Sequence, residues 1–297
     1  MTAGTSKAGS VPVERDADGY APIHAYAAIG GGRSGALIAP DGSIDWWCAP
    51  CMDAPPLLDR LLDDPAGGRF ALQARDAEEV QRRYRDNSNV LVTLVRTTTG
   101  LVRVTESLNS GPAGRLPWSE LARRLEGIEG EVAFDLHYLP GTRAGTCTPW
   151  MSDTPNGCVH HAGPVMTMLR YPDSTEITQC DDREVRGSLT LRSGDRHIVA
   201  LLASQDEVLP VPPLADIDTR IDRSDREWRQ WVDDLHCGVS RYAEVNRLFG
   251  SLVARVQNDV GPMSEMWDTQ AEQGLGNTPQ GLSHLALVHA AYAVDSE

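Results

Sequence analysis

Basic residues and long apolar runs are both scarce in this sequence of 297 residues. Lysine and arginine number 27 against 42 aspartates and glutamates, which gives a formal net charge of −15. A surface of that sign repels phosphate backbones and anionic lipid, so the composition argues against nucleic acid and membranes as partners. The apolar runs, such as residues 198–203, are far shorter than the roughly 20 residues that a membrane-spanning helix needs.

The first 19 residues also lack the basic start and the apolar run of a signal peptide. They are small and polar, which predicts a disordered arm. Six cysteines in a chain of this length, without such a leader, favour reduced thiols over disulfides. A hydrophobic content of 41% is typical of a globular protein with a substantial core. We therefore expect a cytoplasmic globular protein.

Between residues 20 and 213, the hydrophobic pattern is that of β-strands. Short apolar stretches separated by glycine, proline and aspartate are typical of an antiparallel β-sandwich. A helical pattern occurs here only over residues 56–63. The clearest strand predictions cover residues 90–95, 101–105, 132–138 and 197–202.

After a proline-rich linker at residues 209–213, the periodicity becomes helical. Ser224 and Glu227 predict a capping box at the start of a first helix. Apolar residues at helical spacing predict a second helix over residues 245–256, and a threonine followed by proline predicts a third over residues 278–294. The predicted divisions are an arm at 1–19, a β-sandwich domain at 20–213 and a helical segment at 214–297.

Three motifs suggest phosphate binding, redox chemistry or metal binding, but the residues around each motif do not favour these functions. Gly30-Gly-Gly-Arg-Ser-Gly35 lacks the Gly-Lys-Ser/Thr ending of a phosphate loop, so a hairpin is the better interpretation. Trp47-Cys-Ala-Pro-Cys51 resembles a redox motif, but the prolines at 55–56 interrupt the helix that such a motif needs, which favours two packed thiols. His160 and His161 are adjacent and do not share a face, so neither a metal site nor a cofactor is predicted.

The carboxylates of Gly261-Pro-Met-Ser-Glu-Met-Trp-Asp268 give a stronger indication. Chemistry at an acetal needs a carboxyl group that exchanges a proton in a partly desolvated pocket. Glu265, in a loop between two predicted helices, suits that role, although an exposed loop glutamate is the ordinary alternative. Its candidate neighbours, each with a packing, capping or turn alternative, are Trp267, Asp268, His284 and Asp53.

The stretch from Tyr26 to Cys48 resembles the opening of bacterial glycoside hydrolases of family 15, the glucoamylase and trehalase type. It reads Tyr-Ala-Ala-Ile-Gly-Gly-Gly-Arg-Ser-Gly-Ala-Leu-Ile-Ala-Pro-Asp-Gly-Ser-Ile-Asp-Trp-Trp-Cys. Cys51-Met-Asp-Ala-Pro55 then stands where the family has Arg-Phe-Asp-Ser-Pro. Near the other end, Ser264-Glu265 and Leu275-Gly-Asn-Thr-Pro-Gln-Gly-Leu-Ser-His284 are similar to the last helices of the family's barrel.

This resemblance implies an N-terminal β-sandwich followed by part of a helical barrel. In the family, the glutamate directly after that serine is the general base, and Glu265 stands at its position. The family's barrel has six helix pairs, which need on the order of 200 residues. Ser224 to Glu297 provides 74 positions, room for about four helices, and contains no counterpart of the family's general acid.

Two hypotheses about function follow from that comparison. Without a general acid, which contributes about 10²–10⁴ in rate, efficient glucoamylase or trehalase activity is not expected. The first hypothesis is an enzyme in which Glu265 alone acts as acid and base, in a cyclase or isomerase type of ring closure on an oxygen-rich small molecule of specialised metabolism. The alternative is a non-catalytic sugar-binding module or a subunit of a split glycoside hydrolase. In the alternative, the sandwich face that the family's barrel covers would expose apolar surface, which predicts a homo-oligomer, most simply a homodimer.

Overall fold

The chain folds into two antiparallel β-sheets packed face to face, with one long helix on the outside. A computed structural model describes residues 15–62, 67–110, 116–205 and 208–234, and the backbone of two further short strands. Those two strands, β16 and β17, pair with each other as a hairpin and span Met266–Asp268 and Gln273–Leu275.

The strands are numbered β1 to β17 in chain order, and most belong to one of two sheets. Those of sheet A are β1 Ala27–Gly30, β2 Gly35–Ile38, β3 Ser43–Cys48, β4 Pro56–Leu58, β5 Arg69–Ala74, β13 Glu176–Cys180 and β14 Val185–Arg192. Those of sheet B are β6 Ala77–Tyr84, β7 Leu91–Thr97, β8 Gly100–Leu108, β10 Trp150–Thr154, β11 Gly157–Ala162, β12 Val165–Arg170 and β15 Arg196–Gln205.

Strand β9, Ser119–Leu139, belongs to both sheets and joins them. Its first half pairs with β8 and β15 in sheet B, and its second half pairs with β5 and β14 in sheet A. The strand passes from one sheet to the other near Gly130, which has a φ of +62. Glycine adopts this left-handed conformation readily because it has no Cβ. A Cβ there would lie 2.1 Å from the carbonyl oxygen of Thr99, so the crossing requires glycine.

The main core lies between the two sheets and is made of their inward-facing side chains. Its largest fully buried members are aromatic and include Trp47, Phe70, Phe134 and Tyr138. Predicted strands over residues 90–95, 101–105, 132–138 and 197–202 correspond to β7, β8, β9 and β15. The antiparallel β-sandwich expected from the sequence is confirmed.

Helix α1, Leu214–Asp234, covers the outer face of sheet B. Ile217 and Ile221 have no exposed surface and pack against Ile198, Ala200 and Leu202 of β15. The alternate residues of β15 point into the main core, so this strand is buried on both faces. That explains its continuous apolar run, which an amphipathic strand would not show.

Three local predictions need correction. The predicted capping box at Ser224 is wrong, because α1 begins at Leu214, ten residues earlier. The helix starts directly after the proline-rich linker at residues 209–213. Ser224 is fully buried inside the helix, where its hydroxyl donates to the carbonyl of Arg220. The helix predicted over residues 56–63 is wrong as well, since Pro56–Leu58 pairs with β3 as strand β4.

The third correction concerns the arm at residues 1–19. Arg15 belongs to the folded body, because its guanidinium contacts Asp41 at 2.6 Å and Asp45 at 2.9 Å. Its Nη1 also donates to the carbonyl of Gly19 at 3.1 Å. The helices predicted over residues 245–256 and 278–294 lie outside the described residues.

Candidate functional site: a tryptophan cleft

A cleft of about 420 Å³ lies where the β1–β2 hairpin meets the end of α1. Two tryptophans line it: Trp46 comes from β3, and Trp228 comes from the last turns of α1. Met52 extends from the turn after β3 and is 71% exposed at the mouth. Between these side chains, the wall is apolar and is formed mainly by Ala28, Ile29, Ala36 and Leu37.

One wall of the cleft is strand β1, which lies at the edge of sheet A. An edge strand has unpaired backbone groups that invite pairing with other chains. Here two side chains bind them. The Tyr84 hydroxyl accepts from the Ala28 N–H at 3.0 Å and donates to the Ala28 carbonyl at 2.5 Å. The Asn89 side-chain amide, in the orientation that gives both its oxygen and its nitrogen a partner, accepts from the Gly30 N–H at 3.0 Å and donates to the Ala28 carbonyl at 3.3 Å.

The floor of the cleft is fixed by the second tryptophan of the Trp46-Trp47 pair. Trp47 is fully buried, and its indole N–H donates to the Ser34 hydroxyl at 2.9 Å. Ser34 in turn donates a short hydrogen bond to the Cys48 carbonyl. The Met52 N–H donates to the Arg33 carbonyl at 2.8 Å, which folds the turn after β3 back onto the hairpin. Successive residues of a strand point to opposite faces, so Trp46 faces the cleft while Trp47 faces the core.

Ion pairs fix the position of α1 and therefore of Trp228. Arg124 on β9 is 3% exposed and contacts Asp218 at 2.5 Å and Asp222 at 2.8 Å. Arg220 on the helix contacts the fully buried Glu120 carboxylate at 2.7 Å from two nitrogens. Bidentate arginine–carboxylate pairs fix the relative orientation of the two side chains as well as the distance between them. The Trp228 ring also packs edge to face on Trp231, with centroids 5.7 Å apart.

The Asp-Gly-Ser-Ile-Asp-Trp motif that precedes the cleft is a buried polar network. Asp45 has no exposed surface, and its carboxylate accepts hydrogen bonds from Tyr26, Ser43 and Arg15. A buried charge is tolerated only when it is paired and hydrogen-bonded, which this arrangement provides. Gly42 has a φ of +84, and a Cβ there would lie 2.5 Å from a backbone oxygen, so the turn requires glycine.

The structure describes three of the five site residues predicted from the sequence. Asp53 is exposed in the turn after β3 and does not line the cleft. A hydrogen bond from Cys51 lowers the pKa of its carboxyl group. Trp267 and Asp268 belong to β16, whose partner β17 lies beside the short 3₁₀ helix Ile23–Ala25 that precedes β1. Glu265 and His284 lie outside the described residues.

Sequence reasoning missed Trp46 and Trp228 as site residues. The doublet Trp46-Trp47 on a strand is a usable signal, because one of two consecutive strand residues must face away from the core. Trp228 carries no comparable signal in the sequence, since its distance from β3 depends on how α1 crosses sheet B.

The Cys-x-x-Cys motif is followed by a turn and by strand β4, not by the helix that a redox motif needs. Cys48 ends β3 in a buried position, and burial raises the pKa of its thiol. The hydrogen bond to Asp53 raises the pKa of the Cys51 thiol. A catalytic thiol requires the opposite shift. The hairpin predicted for Gly30-Gly-Gly-Arg-Ser-Gly35 is confirmed, with Gly30 paired to Gly35 across the turn.

The architecture defines a class of protein. A crystal structure of a bacterial glucoamylase in complex with acarbose shares the fold, with a TM-score of 0.50 over 84% of this chain and 42% of that chain, at 12% identity. Residues 17–177, more than half of the chain, match the sequence family described as trehalase-like, N-terminal. The chain belongs to this trehalase-like N-terminal family, which confirms the resemblance drawn from residues 26–48.

Individual relatives agree with that assignment. A trehalase of Thermoplasma volcanium is 27% identical over 145 residues, which cover 48% of this chain and 23% of the relative. A trehalase of Mycolicibacterium smegmatis is 26% identical over 239 residues, which cover 72% of this chain and 35% of the relative. The chain thus spans about a quarter to a third of the length of these curated relatives. In the parts that the structure describes, no helix combines the length and apolar character needed to cross a membrane.

Proposed function

We propose that this trehalase-like chain binds a carbohydrate, or a similarly oxygen-rich small molecule, in the tryptophan cleft. The observation that carries the proposal is the presence of Trp46 and Trp228 in one cleft of about 420 Å³. Small-molecule sites are typically about 300–1,000 Å³, and aromatic rings with a few polar groups line them. The apolar faces of indole rings suit the C–H faces of a sugar ring, while the sugar hydroxyls stay hydrated at the open side.

The relatives support the choice of ligand class. The two named relatives are trehalases, and the solved glucoamylase holds acarbose. Because the chain spans only part of these relatives, we propose the shared ligand chemistry, a glucose-type ring, rather than their reaction. This agrees with the sugar-binding alternative drawn from the sequence.

A ligand titration with matched tryptophan variants tests this proposal. Trehalose, maltose and acarbose are added separately to the full chain, and affinity is measured by calorimetry. We expect at least one to bind and Trp228→Ala to weaken its binding about tenfold or more, or about 1.4 kcal/mol. Trp150→Ala is the control, because Trp150 is a tryptophan 51% exposed on β10 that does not line the cleft. Equal losses in the two variants, or binding that survives Trp228→Ala, would refute the proposal.

An acid/base enzyme based on Glu265 is the second candidate. The observation that favours it is the β16–β17 hairpin, which starts at Met266, directly after Glu265, and whose second strand lies beside residues 23–25. The chain then enters the cleft wall at Ala27. In this version, Glu265 would transfer protons at a substrate held against the tryptophans, and a hydroxyl of the substrate would act as nucleophile.

Glu265→Gln distinguishes this candidate from binding alone. The full chain is incubated with trehalose, to detect hydrolysis, and with a hydroxy-epoxide, to detect ring closure. If Glu265 acts, Glu265→Gln lowers the turnover by about 10²-fold or more while sugar affinity is retained. Glu272→Gln is the control, since this glutamate comes seven residues later in the same region. Turnover that persists in Glu265→Gln excludes the role.

A further inference from the structure

Two thiols on different sheets of the sandwich lie in contact with each other. Cys158 is on β11 of sheet B, and Cys180 ends β13 of sheet A. Their sulfur atoms are 2.7 Å apart, and the Met151 sulfur lies 3.6 Å from that of Cys180. β11 pairs with β10 and β12, whereas β13 pairs with β14, so no backbone ladder joins the two cysteines.

The backbone around both thiols is held in place by a second contact between the same strands. His160 follows Cys158 by two residues and therefore shares its face of β11. Its Nε2 lies 2.8 Å from the carbonyl oxygen of Asp181, the residue after Cys180. The Asp181 carboxylate accepts from the N–H groups of Arg183 and Glu184 at 2.8 and 3.1 Å, which fixes the turn after β13.

We propose that Cys158 and Cys180 form a reversible disulfide that cross-links sheet A to sheet B. A disulfide bond requires two sulfurs that can approach to about 2.05 Å without backbone movement. The 2.7 Å contact between the two sulfurs, on strands that the His160–Asp181 hydrogen bond also joins, is the observation that carries the proposal. This inference is independent of the proposed sugar binding, because the pair lies outside the tryptophan cleft.

The oxidant is a small-molecule disulfide such as oxidised glutathione. The thiolate of one cysteine attacks a sulfur of the oxidant, which forms a mixed disulfide and releases one glutathione thiolate. The second cysteine loses its proton and attacks the protein sulfur of that mixed disulfide, which releases the second glutathione thiolate. Two protein thiols are oxidised to one disulfide, and one oxidised glutathione is reduced to two thiols.

The two thiols differ in their surroundings. Burial and the hydrogen bond that Cys180 donates to Cys158 raise the pKa of the Cys180 thiol to about 12. Either thiol can make the first attack in the steps above. The Cys158 sulfur is also 3.5 Å from the Asp153 carboxylate, in an exposed part of β10 and β11.

The remaining described cysteines provide controls. Cys51 forms a hydrogen bond with Asp53, and Cys147 donates to the Thr142 carbonyl. Cys51→Ser should therefore leave the cross-link intact. Cys158→Ser and Cys180→Ser should each abolish it.

The experiment equilibrates the full chain in glutathione buffers of increasing oxidation and maps disulfides by mass spectrometry, with thermal unfolding in parallel. We expect one peptide pair linking Cys158 to Cys180 in the natural chain and in Cys51→Ser. A link between sheets also restricts the unfolded chain, so we expect the melting temperature to rise by about 5–10 °C on oxidation. In Cys180→Ser, the thiol of Cys158 should form a mixed disulfide with glutathione and the melting temperature should not rise.

Three results would overturn the proposal. The first is a pair that stays reduced in oxidised glutathione, the second is a mixed disulfide at Cys158 that never closes onto Cys180, and the third is a cross-link that involves a different cysteine.

Discussion

The phenol of Tyr26 donates a 2.5 Å hydrogen bond to Asp45, a carboxylate with no exposed surface. Burial and the neighbouring carboxylate together raise the pKa of Tyr26, so the phenol stays a donor at every physiological pH. Asp45 precedes Trp46 on β3, and the same carboxylate also binds Arg15 and Ser43. The sequence motif that first indicates the family is thus a structural support beneath the cleft.

Asp45→Asn should destabilise the fold strongly. The amide removes the negative charge that Arg15 and Tyr26 bind in a buried position, and breaking a buried pair of this kind costs about 3–5 kcal/mol. Urea unfolding followed by circular dichroism measures the loss. Asp135→Asn is the matched control, because that carboxylate pairs with Arg75 at 56% exposure and should lose at most about 1 kcal/mol. Similar losses in both variants would contradict the network's role.

Arg124→Ala should loosen α1 from sheet B. The arginine is buried, but its partners Asp218 and Asp222 are 21% and 41% exposed. We therefore expect the free energy of unfolding to fall by about 2–3 kcal/mol, between the values for exposed and buried ion pairs. We also expect proteases to cleave the chain within α1 faster. Arg192→Ala, which breaks a pair that is 76% exposed on the arginine side, should change neither quantity appreciably. Retention of full protease resistance in Arg124→Ala would show that apolar packing alone holds the helix.

Acidification should weaken the fold through buried histidines. Burial lowers the pKa of His160, and it also lowers the pKa of His137. A histidine with a depressed folded-state pKa binds fewer protons than the unfolded chain, so its contribution is complete above the unfolded pKa of about 6.5 and is lost as pH falls below it. We expect unfolding free energy to fall between pH 7 and pH 5 by up to about 1 kcal/mol per pH unit for each histidine.

His160→Gln tests the assignment to one residue, since glutamine can still donate towards the Asp181 carbonyl but does not titrate. The variant should show a shallower loss of unfolding free energy between pH 7 and pH 5 than the natural chain. An unchanged slope would mean that other groups cause the acid sensitivity.

The sandwich could be predicted because strand periodicity is local. The apolar residues over 197–202 and over 90–95 follow from the burial of β15 and β7 in the sandwich, and each pattern can be read within a few residues. Strand β4 was missed because a strand of three residues that begins at a proline carries no periodic signal, and its pairing with β3 is a tertiary contact. The start of α1 was missed because Ser224 satisfies a capping pattern while its hydroxyl actually contacts Ser110, 114 positions away.

The candidate site was harder to predict than the fold because it depends on tertiary contacts, which leave no local pattern in the sequence. Trp46 and Trp228 are far apart in sequence and meet only because α1 crosses sheet B at a fixed position. Conversely, Glu265 has sequence support but no described side-chain environment, so its catalytic role stays a prediction. Homo-oligomerisation and cytoplasmic localisation stay predictions too.

An NMR titration of the full chain, followed at the indole N–H signals of its seven tryptophans, tests sugar binding in the cleft. Signals are assigned by single Trp→Phe variants, and trehalose, maltose and acarbose are then added in turn. We expect saturable shifts at Trp46 and Trp228 with at least one ligand, and no shift at Trp150. No saturable shift at either cleft tryptophan, or shifts of the same size at Trp150, would contradict a sugar site in the cleft.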